Sequence, residues 1–237
     1  SRTPDDCHSR CLPYATGGMK TPILAVLTGK AIPFRGDEPS AIGKLPVADA
    51  VAVDAMGLVG DEQADRSVHG GIDKAIHHYP ADHYDWWRGQ LGAAPLLDAA
   101  GAFGENISTT GLDENSVFLG DRFRLGSALV EVTQARQPCW KLDHRFATKG
   151  VMAQVVKTRR TGWYYRVLEP GAVRAGDTLD LVERPWHDWP LASLFGLLIG
   201  GEAKARLADL RALRDVPVLA ETWKARRAKL AEQFGVD

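Results

Sequence analysis

The sequence predicts a mainly β fold of the α+β type: an antiparallel barrel or sandwich with interspersed helices and a small three-helix extension at the C-terminus. Three observations predict it. Short β-branched and apolar segments recur between Gly and Pro punctuation without a repeated β-α-β unit. One segment alternates apolar and polar residues around a tight turn, as a half-buried hairpin does. Past Pro185 the apolar residues shift to helical spacing.

Taken in order, Ile23–Leu27 reads as a first strand, broken by Thr28-Gly29-Lys30. The segments 41–47 and 51–53 are further short strands, and Phe103–Ser108 follows a glycine-bearing turn. The clearest hairpin spans Val117–Thr133. There Phe123 and Leu125 alternate with Arg122 and Arg124, Gly126-Ser127 turns the chain, and 129–133 returns. A closing strand over 177–182 follows the turn Glu169-Pro170-Gly171. Pro80 suits a first helical turn, and Tyr84, Trp87 and Leu91 then share one face of a helix over 81–91. A second helix runs through Val151, Met152, Val155 and Val156. Three more fall at 190–199, around Ala203/Leu207/Leu210 and across Leu219/Trp223/Leu230/Phe234, separated by Gly200-Gly201 and 215–217. The predicted organisation is a disordered extension over 1–22, a barrel domain over 23–185 and a three-helix domain over 186–237. Met19 stands just before the first strand, so residues 1–18 read as an extension to the natural start.

The 237 residues carry 29 Lys+Arg against 30 Asp+Glu, and 45% are hydrophobic. This excludes disorder, a disulfide-stapled mini-fold and a general nucleic-acid binder, which needs a basic excess. The longest apolar run, 194–199, is too short to cross a bilayer. Three cysteines, Cys7, Cys11 and Cys139, form an odd, sparse set that reads as free thiols in a reducing, cytoplasmic setting. Cys7-His8-Ser9-Arg10-Cys11 is at most half a zinc site.

Three segments can carry chemistry. Arg66-Ser67-Val68-His69-Gly70-Gly71-Ile72-Asp73-Lys74 sets paired glycines, which allow close backbone approach, among cations; it reads either as an anion cradle or as a tight turn with solvated basic residues. The nearby His77-His78 pair faces opposite ways if the segment is a strand, which argues against a dedicated metal site. Phe103-Gly104-Glu105-Asn106 offers donors and acceptors to a heterocycle edge, or closes a local turn. Arg136-Gln137-Pro138-Cys139-Trp140-Lys141 is sharper. A thiol bracketed by two cations, near a helix start, has its thiolate favoured, and the thiolate attacks electrophiles or binds soft metals.

As a set, these segments resemble the MOSC domain family, the C-terminal domain type of molybdenum cofactor sulfurases, in its bacterial YiiM-like branch. The resemblance rests on Gly57-Leu58-Val59-Gly60-Asp61-Glu62-Gln63, Val68-His69-Gly70-Gly71 with Lys74-Ala75, His78-Tyr79-Pro80 and Phe103–Asn106. It continues through Gly120-Asp121, Arg136-x-Pro-Cys139-x-Lys141 and Gly162-Trp163, and spans residues 24–184. It implies a MOSC-type β-barrel that binds the molybdenum cofactor (Mo-molybdopterin), with Cys139 as the protein ligand to molybdenum and a catalytic residue. By the same resemblance His69, Gly70, Gly71, Lys74, Asn106 and Arg136 hold the pterin and its phosphate, with Arg66, Lys44 and Thr133 in support. His69 is also a candidate proton donor. The implied activity is reduction of N-hydroxylated compounds such as 6-hydroxylaminopurine, a detoxification of base analogues; pyridoxal phosphate is not expected.

No ferredoxin-like cysteine set and no flavin or dinucleotide glycine fingerprint is visible, so the reductase reading requires a separate electron-donating partner. A competing reading makes Cys139 a persulfide-bearing sulfur carrier or a cofactor-handling thiol. A third assigns nucleic-acid binding to Lys224, Arg226, Arg227 and Lys229. Residues 201–237 hold eight Lys/Arg against six Asp/Glu, however, a net of only +2, and the run reads as a solvated face. Covering part of the pocket, or a homodimer contact, suits these helices better.

Overall fold

The strands and turns legible in the sequence wrap into a closed barrel. The computed structural model describes residues 20–64 and 70–236. In chain order the strands are β1 (Lys20–Thr28), β2 (Ile32–Arg35), β3 (Glu38–Ser40), β4 (Leu45–Pro46), β5 (Val51–Asp54), β6 (Gly57–Leu58) and β7 (Ile76–Pro80). They continue with β8 (Ile107–Thr109), β9 (Arg122–Leu125), β10 (Ala128–Ala135), β11 (Trp163–Glu169), β12 (Gly171–Val173) and β13 (Thr178–Glu183). Seven of them close in the order β13-β9-β10-β11-β7-β8-β1, with β1 pairing back onto β13 through Lys20–Pro22 and Thr178–Asp180. Closure removes the exposed sheet edges that invite aggregation. All these pairings are antiparallel except β7–β8, where His78 lies opposite Ile107. A parallel pair needs a crossover, and here it contains helix α1 (His83–Leu91).

The hairpin read from alternation is β9–β10. Leu125 pairs with Ala128 across Gly126-Ser127, Phe123 and Leu125 are buried, and Arg122 and Arg124 face outward. There, Gly126 takes a φ of 56°, and a Cβ on it would lie 2.4 Å from the Ala172 carbonyl oxygen. The expected strand over 41–47 shrinks to β4, because Ala41–Lys44 instead forms an irregular wall against which Gly29 packs at backbone distance. Likewise the strand expected over 103–108 begins only at Ile107. Gly104 has a φ of 76°, and the buried Glu105 carboxylate accepts the N–H groups of Gly101 and Phe103, curling the chain into a loop. The β2–β3 hairpin, turned at Gly36-Asp37, and strand β11 were not read from the sequence.

Helices α2 (Lys141–Arg145) and α3 (Val151–Thr158) follow β10, and α4 (Leu191–Leu198), α5 (Leu207–Ala212) and α6 (Glu221–Phe234) follow β13. The barrel core of Ile23, Val26, Phe123, Val130, Val132 and Tyr165 runs without a break into Leu194, Phe195, Leu210 and Trp223 of the C-terminal helices. That extension therefore shares the barrel's hydrophobic interior, the main source of stability for both. A second apolar cluster, with Tyr79, Trp87, Leu97 and Phe103, lies under α1. The expectation for the N-terminal extension lies outside the described residues except at Lys20–Pro22, which are part of β1. No helix among the described residues is long and apolar enough to cross a membrane.

Candidate functional site

One cleft collects most of the chemistry. It holds a cavity of about 90 Å³ and is lined by Lys44, Asp61, Lys74, His77, Asn106, Arg136, Cys139, Lys141 and Tyr164, among others. Strand β7 delivers His77, the end of β10 delivers Arg136, and the turn before α2 delivers Cys139. The Arg136 N–H donates to the Gly162 carbonyl at 2.9 Å, extending the β10–β11 ladder to the lip of the barrel. Pro138 then sets the chain off the strand. Cys139 is a free, partly exposed thiol, with Lys141 also on the cleft wall.

The cations around it differ in what they already hold. Lys44 is committed: it forms a buried ion pair with Asp61, and burial lowers its pKa against the pull of that carboxylate. Lys141 donates to the Pro39 carbonyl at 3.3 Å and lies 3.9 Å from Glu38. Arg136 is buried, has no ion pair among the described residues, and leaves Nη1 without any partner. His77 is its counterpart, with Nε2 buried and unpartnered. Burial, followed by the charge of Arg136, pushes the His77 pKa well below the usual histidine range, so the ring is neutral at physiological pH. Tyr164, beside Arg136, has its phenol pushed up by burial and stays protonated. Unpartnered buried polar atoms are uncommon and costly in proteins. Two of them belong to residues that line this one cleft.

Of the residues predicted from sequence, Lys44, Lys74, Asn106, Arg136 and Cys139 converge on this cleft. Asn106 lines it, yet its amide is engaged by the fold: Oδ1 accepts the His77 N–H, and Nδ2 donates to Leu27 O and Asp61 Oδ2. Gly70 and Gly71 are not part of the cleft wall. Gln63 Oε1 accepts the Gly71 N–H at 2.9 Å, and a Cβ on Gly70 would fall 2.4 Å from that same oxygen, so packing against Gln63 accounts for a glycine there. Thr133, expected among the cofactor-binding residues, is not brought to the cleft: its hydroxyl donates to the Asp73 carbonyl at 2.6 Å. Arg66 and His69 lie outside the described residues. Sequence reasoning missed His77, Asp61 and Tyr164 as cleft residues. Strand parity could have found His77, since its neighbour His78 belongs to the barrel interior. Among the described residues no three His, Cys, Asp or Glu side chains converge as a metal site.

The rim of a closed barrel thus gathers the free Cys139 thiol, the buried Arg136 guanidinium and further cations around one cleft. The MOSC domain model matches residues 65–180. The protein YiiM of Escherichia coli is 43% identical over 166 residues, covering 70% of this chain and 74% of its own. The uncharacterized protein YflK of Bacillus subtilis is 40% identical over 186 residues, covering 78% of this chain and 82% of its own. A protein of Gibberella moniliformis named reductase is 40% identical over 160 residues, which are 67% of this chain but only 28% of that longer one. The crystal structure of YiiM from Escherichia coli superposes with a TM-score of 0.76 at 30% identity, over 92% of this chain and 96% of that one. That of YiiM from Geobacillus stearothermophilus gives 0.75 at 33%, over 89% and 98%. The chain belongs to the MOSC domain family, in its YiiM-like branch.

Proposed function

We propose that this protein is a molybdenum-cofactor-dependent oxidoreductase that reduces N-hydroxylated compounds such as 6-hydroxylaminopurine. The observation that carries the proposal is the juxtaposition of the free Cys139 thiol with the unpartnered guanidinium nitrogen of Arg136 in one cleft. The donor set suits the group. A thiolate is a fitting further ligand for a metal already held by dithiolene sulfurs, and Arg136, with Lys74 and Lys141, suits the phosphate. When bound, the cofactor supplies two-electron redox chemistry at the metal. Conversion of R–NH–OH to R–NH2 consumes two electrons and two protons and releases water. Cys139 holds the metal, Arg136 binds the anionic part and orients it, and neutral His77 contributes hydrogen bonds without adding charge. His69 and Arg66 join this set by family resemblance. The electrons come from a separate reductase, and the reducing cytoplasm keeps Cys139 a thiol. The name of the fungal relative supports an oxidoreductase reading.

The test is the molybdenum-to-protein ratio of protein expressed with cofactor supply, followed by turnover of 6-hydroxylaminopurine with a reduced viologen. Wild type should carry molybdenum and turn over; Cys139→Ala should lose at least about ten-fold in both, since even outer-shell changes at metal sites cost that much. Equal metal content and activity in the two proteins would sink the proposal. The accessible thiol favours one alternative, a sulfur carrier with a persulfide on Cys139. A one-sulfur mass adduct at Cys139, without reductase turnover, would select it.

A further inference from the structure

We infer that Asp73 is a positioning residue that fastens the rim turn of the cleft to the first turn of helix α6, so that the C-terminal extension holds the cleft in shape. The turn in question, Ile72–Lys74, directly follows Gly70-Gly71 and ends at Lys74, a cleft residue. Asp73 is committed on three sides. Its Oδ2 accepts the Glu221 backbone N–H at 3.0 Å, and its Oδ1 pairs with Arg166 at 2.8 Å. Its carbonyl takes the Thr133 hydroxyl. The same group of residues ties down the entry to α6. Arg166 Nη2 donates to the Val218 carbonyl at 3.0 Å, and the Ala220 N–H donates to the Thr133 carbonyl at 3.2 Å. A helix leaves its first N–H groups without intrahelical partners, and here a carboxylate 148 positions away in sequence satisfies one of them. Thr133 thus serves the site through Asp73 instead of touching a ligand.

The functional side of this inference rests on the proposed function, and the structural side stands by itself. A clean probe exists in Glu221→Pro. Glu221 is the first residue of α6, where proline is well accepted, and Ala220 before it has φ −56° and ψ 142°, which a following proline favours. The substitution deletes the N–H that Asp73 accepts and leaves the helix intact. Asp73→Ala removes the whole carboxylate, and Lys224→Ala, on the same helix, serves as the control.

Two readouts apply to the full chain: amide hydrogen exchange of residues 70–75, and molybdenum per chain after expression with cofactor supply. Exchange there should rise several-fold in Glu221→Pro and more in Asp73→Ala, with the strands β9 and β10 unchanged. Molybdenum content should fall in the same order. Wild-type exchange in both variants overturns the inference, and so does faster exchange with undiminished molybdenum. A wild-type protein that takes up no molybdenum would instead sink the proposed function, and exchange alone would then decide the role of Asp73.

Discussion

His77 and His78 are neighbours on one strand, yet they live under opposite rules. His78 points into the barrel, where Tyr165 Oη and Thr109 Oγ1 each lie 2.9 Å from one of its ring nitrogens and the tilted Trp163 ring lies 4.3 Å away between centroids. His77 points to the cleft and keeps Nε2 without a partner. Both are buried and neutral, His78 with its pKa pushed down by burial to about 3. Inside the barrel the fold completes both ring nitrogens of His78, because leaving them unpaired there would cost stability. At the cleft, His77 Nε2 and Arg136 Nη1 stay incomplete, which lowers stability slightly and, under the proposed function, leaves hydrogen bonds for a ligand.

The comparison can be broken most severely where the two sides meet. Gly162 has a φ of 66°, and a Cβ on it would lie 2.3 Å from the His78 carbonyl oxygen and 3.0 Å from His77 Nε2. Gly162→Ala should therefore cost roughly 3–5 kcal/mol, read by urea unfolding. His78→Ala should cost about 3 kcal/mol, because it opens a cavity and strands two buried hydroxyls.

Acidification tests the same histidine without changing the fold. His78 titrates at about 3 when folded, against 6.5 for the free side chain, so between those values the unfolded chain binds the extra proton. Stability is full above pH 6.5 and falls as the pH drops through that window, by about 1.4 kcal/mol per pH unit for each such histidine. In His78→Gln the slope measured between pH 4 and 6 should flatten by that amount; an unchanged slope would show that His78 is not buried neutral. The smallest effect on stability belongs to the cleft. Arg136→Met removes a guanidinium that has no ion pair among the described residues and should shift unfolding by about 1 kcal/mol, while molybdenum content falls at least about ten-fold if Arg136 holds the phosphate.

The hairpin β9–β10 was legible because Phe123 and Leu125 obey a period-two rule that needs no distant contact. Cys139 was legible as a cleft residue because cations flank it in the sequence. Asn106 was legible as a cleft residue, but its hydrogen bonds were not, since Leu27 and Asp61 are its partners only after the barrel closes. The irregular wall 41–44 and the loop ahead of Ile107 looked like strands for a similar reason: local apolar content was visible, whereas the Glu105 carboxylate that curls the loop acts through the folded backbone.

By itself, the sequence determined the mainly β class, the helical tail, the thiol between cations and the family motifs, all of which are local patterns or short spacings. Only the tertiary structure decided that Lys44 is neutralised by Asp61, that Thr133 braces Asp73, and that Arg136 and His77 keep unpartnered nitrogens. Those outcomes depend on which polar groups meet when strands distant in sequence pair, and pairing across a closed barrel is a property of the whole chain.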